Sequence, residues 1–128
     1  MSNSIVLKVS IMLTEIQAYK VMFAFLDEFW TTHKHDFNSE FPVLLGSMSL
    51  LSDDKPVDQG QWVYWERCLG SQTKLSEEEA FNKMLDFLEI NRNYSEGDEI
   101  ALVINRINLS FQEMLTKWKQ IINEKKTN

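Results

Sequence analysis

The chain has 128 residues, of which 44% are hydrophobic and 25% are charged, and its formal net charge is −6. This length allows one hydrophobic core rather than two, and the apolar fraction is too high for a disordered chain. Four glycines and two prolines argue against a turn-rich all-β fold, and the single cysteine excludes an intramolecular disulfide and a cysteine-rich zinc site.

The N-terminal segment carries no recognisable export signal. Lys8 interrupts its apolar residues, and no stretch of about 20 apolar residues in the chain could span a bilayer. We therefore predict residues 1–12 to be an extension, either disordered or not native, and residues 13–128 to be a single helical domain. We expect the protein to be cytoplasmic and to make no membrane contact.

The first two predicted helices precede an acidic turn. Apolar side chains at helical spacing predict a helix over residues 14–32, with Thr14 at its N-cap. A shorter helix follows, for which Asn38 or Ser39 is the expected N-cap residue. This second helix contains Gly46, and a residue without a side chain there indicates close approach of another element or of a partner.

Three further helices are predicted in the rest of the chain. Asp58 caps the first of them, and Ser76 with Glu79 has the spacing of a capping box that opens the next. After Asp98, apolar residues at alternating steps of four and three predict one helix of about 27 residues, roughly 40 Å long, with a weak point near residues 108–110. No strand pattern competes, so the predicted fold is an all-α, single-domain bundle of about five helices.

Two helix openings in the chain repeat each other. Residues 13–27 and 75–89 share a capped start and the same order of apolar positions, with every corresponding pair 62 residues apart. Two interpretations remain open: convergence of capped amphipathic helices, or a duplicated helical unit with pseudo-two-fold packing.

No arrangement of residues points to catalysis or to a cofactor. His33 and His35 stand at the predicted end of a helix and do not converge as metal ligands do. Cys68 has no histidine region placed to act as its base, so we interpret it as a packing residue. The chain also has no phosphate-binding glycine loop and no nucleophile elbow. We predict no enzyme activity, no metal and no cofactor, the alternative being a catalytic site built from scattered residues.

Charge is unevenly distributed along the chain. Residues 75–100 carry eight acidic and two basic side chains, whereas residues 101–128 carry two acidic and five basic side chains. The acidic total disfavours direct nucleic-acid binding and favours a basic protein partner, because complementary fields speed encounter. We assign the four tryptophans to the core: Trp30, Trp62, Trp65 and Trp118.

Four motifs in the first half of the chain occur in a recognisable order. Residues 13–26 read Leu-Thr-Glu-x-Gln-Ala-Tyr-x-x-Met-Phe-x-Phe-Leu, and residues 44–51 read Leu-Leu-Gly-Ser-Met-Ser-Leu-Leu. Residues 54–58 and the pair Trp62-x-x-Trp65 follow. This order resembles a family of small helical immunity proteins from bacterial contact-dependent growth inhibition and related polymorphic toxin systems. The family's turn tends to read Asp-Gly-x-Pro, where this chain has Asp54-Lys55-Pro56.

The resemblance implies a protein that binds and neutralises a cognate toxin domain by occluding its active or substrate-binding site. Many such toxins are nucleases with basic substrate grooves, to which an acidic inhibitor offers carboxylates in place of phosphates. The alternative is a helical adaptor that binds a peptide or protein partner in a groove. The acidic residues that we expect to contact the toxin are Asp53, Asp54, Asp58, Glu66, Glu77, Glu78 and Glu79.

Overall fold

The computed structural model describes residues 12–126, which form a mostly helical bundle. Residues 1–11, the bulk of the predicted extension, lie outside the described part of the chain. Within residues 12–126 there are six α-helices, a single turn of 3-10 helix at Lys34–Asp36 and one two-stranded sheet. In chain order the elements are β1 Met12–Thr14, α1 Glu15–His33, α2 Glu40–Met48, α3 Gln59–Leu69, β2 Lys74–Ser76, α4 Glu77–Asn93, α5 Glu99–Leu109 and α6 Phe111–Lys126.

The starts of α1 and α4 have the predicted caps. The Thr14 hydroxyl accepts a hydrogen bond from the backbone N–H of Gln17, and the Gln17 side chain accepts one from Thr14 in return. Ser76 and Glu79 make the same reciprocal pair, which confirms the capping box. Each pair satisfies two backbone donors that a helix start leaves without intrahelical partners.

The sheet corrects the prediction that the chain has no strand. β1 and β2 are antiparallel, with Leu13 opposite Leu75 and Met12 opposite Ser76, so Met12 belongs to the domain rather than to the extension. Each strand is the extended segment that ends in a helix N-cap residue, and both leucines are buried. Three-residue strands are too short to produce the alternating pattern by which strands are recognised in a sequence.

The two halves of the chain make corresponding contacts, which is the arrangement that the second interpretation of the repeat, pseudo-two-fold packing, predicts. The rings of Tyr19 and Phe87 meet edge to face at 6.3 Å between centroids, and the corresponding pair, Phe25 and Phe81, meets edge to face at 6.0 Å. The indole N–H of Trp65 on α3 donates to the backbone oxygen of Glu15 at 3.1 Å.

The equivalent bond in the second half joins Trp118 on α6 to the backbone oxygen of Glu77 at 2.9 Å. Glu15 and Glu77 are the first residues of α1 and α4. Each half therefore consists of a short strand and three helices, and the third helix sends a tryptophan to the first turn of the first helix. Burial of both rings next to a satisfied N–H is the usual condition for tryptophan in a core.

The prediction of a single long C-terminal helix, made from the periodicity, is wrong. The helix is interrupted at Ser110, within the predicted weak point, and this interruption separates α5 from α6. Ile107 on α5 and Trp118 on α6 are both fully buried, and both helices contact α4. One straight rod would carry its far end away from α4, so a bend is needed to bury both apolar faces.

The starts of α2 and α5 are capped from a distance rather than locally. The expected cap residue Ser39 has helical backbone angles, and its side chain makes no capping hydrogen bond within the described chain. Instead the Glu99 carboxylate accepts from the backbone N–H of Phe41 at 3.1 Å, at the start of α2. In return, the Glu40 carboxylate accepts from the backbone N–H groups of Gly97, at 2.8 Å, and Glu99, at 3.0 Å, at the start of α5.

The core draws apolar side chains from all six helices. Trp65 and Trp118 are fully buried, as predicted, whereas Trp30 and Trp62 are only partly buried against the core. Gly46 does not have the close neighbour that the sequence indicated, because a Cβ placed there meets nothing within 4 Å. No helix in residues 12–126 is long and apolar enough to cross a membrane.

Candidate partner-binding surface

The loop between α2 and α3 is held in a defined shape by backbone hydrogen bonds. Asp54 N–H donates to Leu51 O at 3.0 Å, and Leu51 N–H donates to Lys55 O at 2.8 Å, so residues 51–55 close a tight turn. The Asp53 carboxylate accepts from Lys55 N–H at 3.1 Å, and Asp54 adopts a left-handed backbone conformation with φ of 62°. The turn therefore presents two neighbouring carboxylates on a fixed backbone.

This loop forms one wall of a groove beside α3. The groove has a volume of about 490 Å³. We call it the Trp62 groove, and it is lined by Ile16, Asp53, Asp54, Lys55, Pro56, Gln59, Trp62 and Val63. Trp62 is held in place by its contact with the buried ring of Tyr19, at 5.5 Å between ring centroids.

Exposed apolar side chains lie on the loop, which forms one wall of the groove, and on α3, where Val63 lines the groove. Leu51 and Val57 on the loop and Val63 on α3 are each more than half exposed. Apolar area clustered next to a partly exposed tryptophan and rimmed by polar groups is typical of protein–protein contact surfaces. The combination distinguishes this part of the described surface from a merely solvated acidic loop.

Two of the seven predicted acidic residues line the Trp62 groove, and two others, Asp58 and Glu66, lie elsewhere on α3 or at its start. Asp53 and Asp54 line the groove, and Asp54 pairs with Lys20 across 3.3 Å. Asp58 is the N-cap of α3, where its carboxylate accepts from Gly60 N–H at 2.9 Å. Glu66 is exposed on α3, four residues after Trp62 and therefore on the same side of the helix.

The other three predicted residues lie at the start of α4 and have different neighbours. Glu79 belongs to the capping box and also accepts from the Gln72 side chain. Glu78 pairs with Lys119 at 3.1 Å, and the backbone of Glu77 accepts from the Trp118 indole. Carboxylates in a first helical turn stabilise the helix through its dipole, so this group has a structural explanation of its own.

The structure also gives the chemical state of the single cysteine. Burial, together with a smaller contribution from the charge of Asp86, raises the pKa of Cys68 to about 11. The group is therefore a thiol rather than a thiolate at neutral pH, as expected for a packing residue. Within the described part of the chain, no three His, Cys, Asp or Glu side chains are grouped to hold a metal ion.

Sequence reasoning missed the apolar component of the Trp62 groove. Because Trp62 and Trp65 lie three positions apart on a helix, helical spacing assigned both to the core. Only Trp65 is fully buried. Val63 and Val57 carried no signal, because isolated apolar residues on a surface are common. The position of Val63 beside Pro56 and Trp62 depends on how the loop folds back toward α3.

Comparisons with known proteins identify no relative of this chain. Neither the protein-family models, nor the curated proteins, nor the solved structures include a significant match to the chain.

Proposed function

We propose that this protein is an immunity protein, which binds a cognate toxin domain in the cytoplasm and occludes its active or substrate-binding site without catalysis. The observation that carries the proposal is the Trp62 groove, in which the partly exposed Trp62 and the exposed Val63 lie beside Asp53, Asp54 and Lys55. The order of motifs in residues 13–65, which resembles that of immunity proteins, supports the same function.

The toxin that fits this surface best is a nuclease with a basic substrate groove. Carboxylates at the edge of the Trp62 groove complement lysine and arginine side chains that otherwise hold phosphates. The apolar side chains Pro56, Trp62 and Val63, which line the groove, supply area that excludes water around these charges. The hydrogen-bonded turn at residues 51–55 presents the carboxylates with little ordering left to complete on binding.

The first experiment is co-expression in bacteria with the toxin domain encoded immediately upstream, scored by growth and by co-purification. The proposal expects growth to be restored and a 1:1 complex to be recovered. Growth arrest without a complex would contradict immunity for this pair. A helical adaptor that takes a peptide in the Trp62 groove would then become the leading interpretation.

The contribution of the groove is tested by charge reversal. We expect the double variant Asp53→Lys/Glu66→Lys to weaken toxin binding by at least about tenfold while keeping its helical spectrum. The matched control is Asp27→Lys/Asp86→Lys, which makes the same change in net charge at two exposed helical positions outside the groove. Equal affinities of the two variants would contradict a role for the acidic groove.

A further inference from the structure

A second cleft lies on the other flank of α3. It runs between α2, the start of α3 and the segment that links α4 to α5, with a volume of about 450 Å³. We call it the Gln61 cleft. Val43 and Tyr94 stand among its lining residues, 68% and 67% exposed respectively, so the cleft has an accessible apolar rim.

The polar groups of the cleft contain a hydrogen-bond acceptor without a donor. Gln61 is only 6% exposed, and its Nε2 donates to Ser47 Oγ at 3.2 Å and to Asn91 Oδ1 at 3.0 Å. Asn91 Nδ2 is in turn engaged with Phe87 O. Gln61 Oε1 accepts no hydrogen bond from any residue of the described chain. Buried polar atoms nearly always have a partner, so such an atom calls for an explanation.

The charged groups of the cleft are all acidic. Glu40, Asp58 and Glu96 line it, and no lysine or arginine is among its lining residues. Ionised carboxylates only accept hydrogen bonds. Glu40 and Asp58 already accept backbone N–H groups and contribute negative charge, and Glu96 is an exposed carboxylate of the cleft. A complementary ligand therefore brings donors and positive charge.

The exposed ring of Tyr94 indicates that the positively charged ligand of the cleft is planar. Tyr94 is stacked on Tyr64, with 5.4 Å between ring centroids and 3° between planes. A guanidinium group stacks on aromatic faces and carries five donors and no acceptor, whereas an ammonium group is compact and more strongly hydrated.

We propose that the Gln61 cleft receives an arginine side chain of the partner protein, with the guanidinium between Tyr94 and the carboxylates. The inference rests on the proposed function in one respect, since it takes the partner to be the toxin with its basic surface. The cleft and the Trp62 groove adjoin the same helix start, so one partner can contact both.

The test uses a peptide rather than the toxin. The whole protein, labelled with ¹⁵N, is titrated with acetyl-Gly-Arg-Gly-amide, and the amide signals of residues 94–97 and the side-chain amide of Gln61 are followed by NMR. We expect saturable shifts with a dissociation constant on the order of millimolar, as for so small a ligand. The peptide with citrulline in place of arginine keeps the shape without the charge and should leave the signals unmoved.

Variants of the protein link the response to the cleft. The variant Glu96→Gln should bind the arginine peptide about threefold more weakly, which is the effect of losing one partly exposed charge pair. Asp86→Asn makes the same charge change on α4 outside the cleft and should leave the affinity unchanged. We also expect the wild-type protein to bind the arginine peptide more tightly than the same peptide with lysine in place of arginine. The variant Tyr94→Leu should lose this preference.

Three results would overturn the inference: no shift at these residues at about 20 mM arginine peptide, equal shifts with citrulline, or equal affinity for the lysine peptide. Failure of the proposed function is recognised separately, because the peptide then binds the cleft while the chain neither restores growth nor forms a complex with the toxin domain.

Discussion

Glu40 and Glu99 each cap the helix that the other begins. They are the first residues of α2 and α5, 59 positions apart in sequence, and each carboxylate accepts backbone N–H groups at the start of the opposite helix. The exchange crosses the pseudo-two-fold relationship between the halves. It joins the first half of the chain to the second through two charge-assisted sets of hydrogen bonds.

Removing either carboxylate should destabilise the protein, although neither residue occupies a formal N-cap position. We expect Glu40→Ala and Glu99→Ala each to lower the free energy of unfolding by about 1 kcal/mol, the usual cost of a lost cap. The residues that do occupy the N-cap positions, Ser39 and Asp98, make no side-chain capping bond within the described residues. Urea denaturation should therefore show a smaller loss for Ser39→Ala and Asp98→Ala, and the reverse order would contradict the reciprocal capping.

The same carboxylate should make stability depend on pH. Burial by itself raises the pKa of Glu40, but hydrogen bonds from the Ser95 hydroxyl and from the first backbone amides of α5 outweigh it, and the pKa lies below its ordinary value of 4.5. A lowered pKa in the folded state contributes stability above pH 4.5 that is lost as the pH falls through the folded value.

Denaturation curves between pH 7 and about pH 3 should accordingly show a shallower acid loss for Glu40→Gln than for the wild type. Asp98→Asn removes a carboxyl group from the same segment that makes no capping bond, and should follow the wild-type curve. Parallel curves for all three proteins would show that the Glu40 carboxylate is not linked to folding.

Trp65 and Trp118 should be of equal importance, because they occupy corresponding positions. Phenylalanine at either site removes the indole N–H, so that a backbone oxygen of a first helical turn loses one of its hydrogen-bond donors, and it also leaves a small cavity. We expect a loss of about 2–3 kcal/mol in each case. Trp30→Phe, at a partly buried position, should cost clearly less. The stabilities are measured by thermal and urea denaturation. Tolerance of the change at one of the two buried sites would contradict the pseudo-symmetry.

Asp54 should be more easily replaced by glycine than by alanine. Its φ of 62° lies in the left-handed region, which glycine adopts without a steric penalty. Both variants remove the ion pair with Lys20, so the difference between them reports the backbone alone. We expect Asp54→Gly to be more stable than Asp54→Ala by about 1 kcal/mol. Equal midpoints in urea would indicate that the turn relaxes to another shape.

Gly46 offers a stabilising substitution. It lies in α2, and a Cβ added there meets nothing within 4 Å, so Gly46→Ala should raise the free energy of unfolding by about 0.5–1 kcal/mol. Gly97→Ala is the opposite case, because its Cβ would come within 2.7 Å of the Glu40 carboxylate and displace a cap. Calorimetry should show a higher melting temperature for the first variant and a lower one for the second.

Only part of the candidate surface was predictable from the residues. Asp53 and Asp54 were expected to contact the toxin because they are acidic, and both line the Trp62 groove. Trp62 was assigned to the core, since helical spacing tells which residues share a face but not how far an adjacent loop covers it. Gln61 gave no signal at all, and its importance depends on two neighbours, Ser47 on α2 and Asn91 on α4.

Local patterns in the sequence were enough to predict the helical class and the capped starts of α1 and α4, because caps and amphipathic periods involve only neighbouring residues. The repeat was visible in the sequence, but its origin stayed open between convergence and duplication. Tertiary structure decided the pairing of β1 with β2, the break at Ser110 and the exchange between Glu40 and Glu99. These features satisfy backbone groups or bury apolar faces against residues distant in the chain. Such contacts exist only once the two halves are packed together.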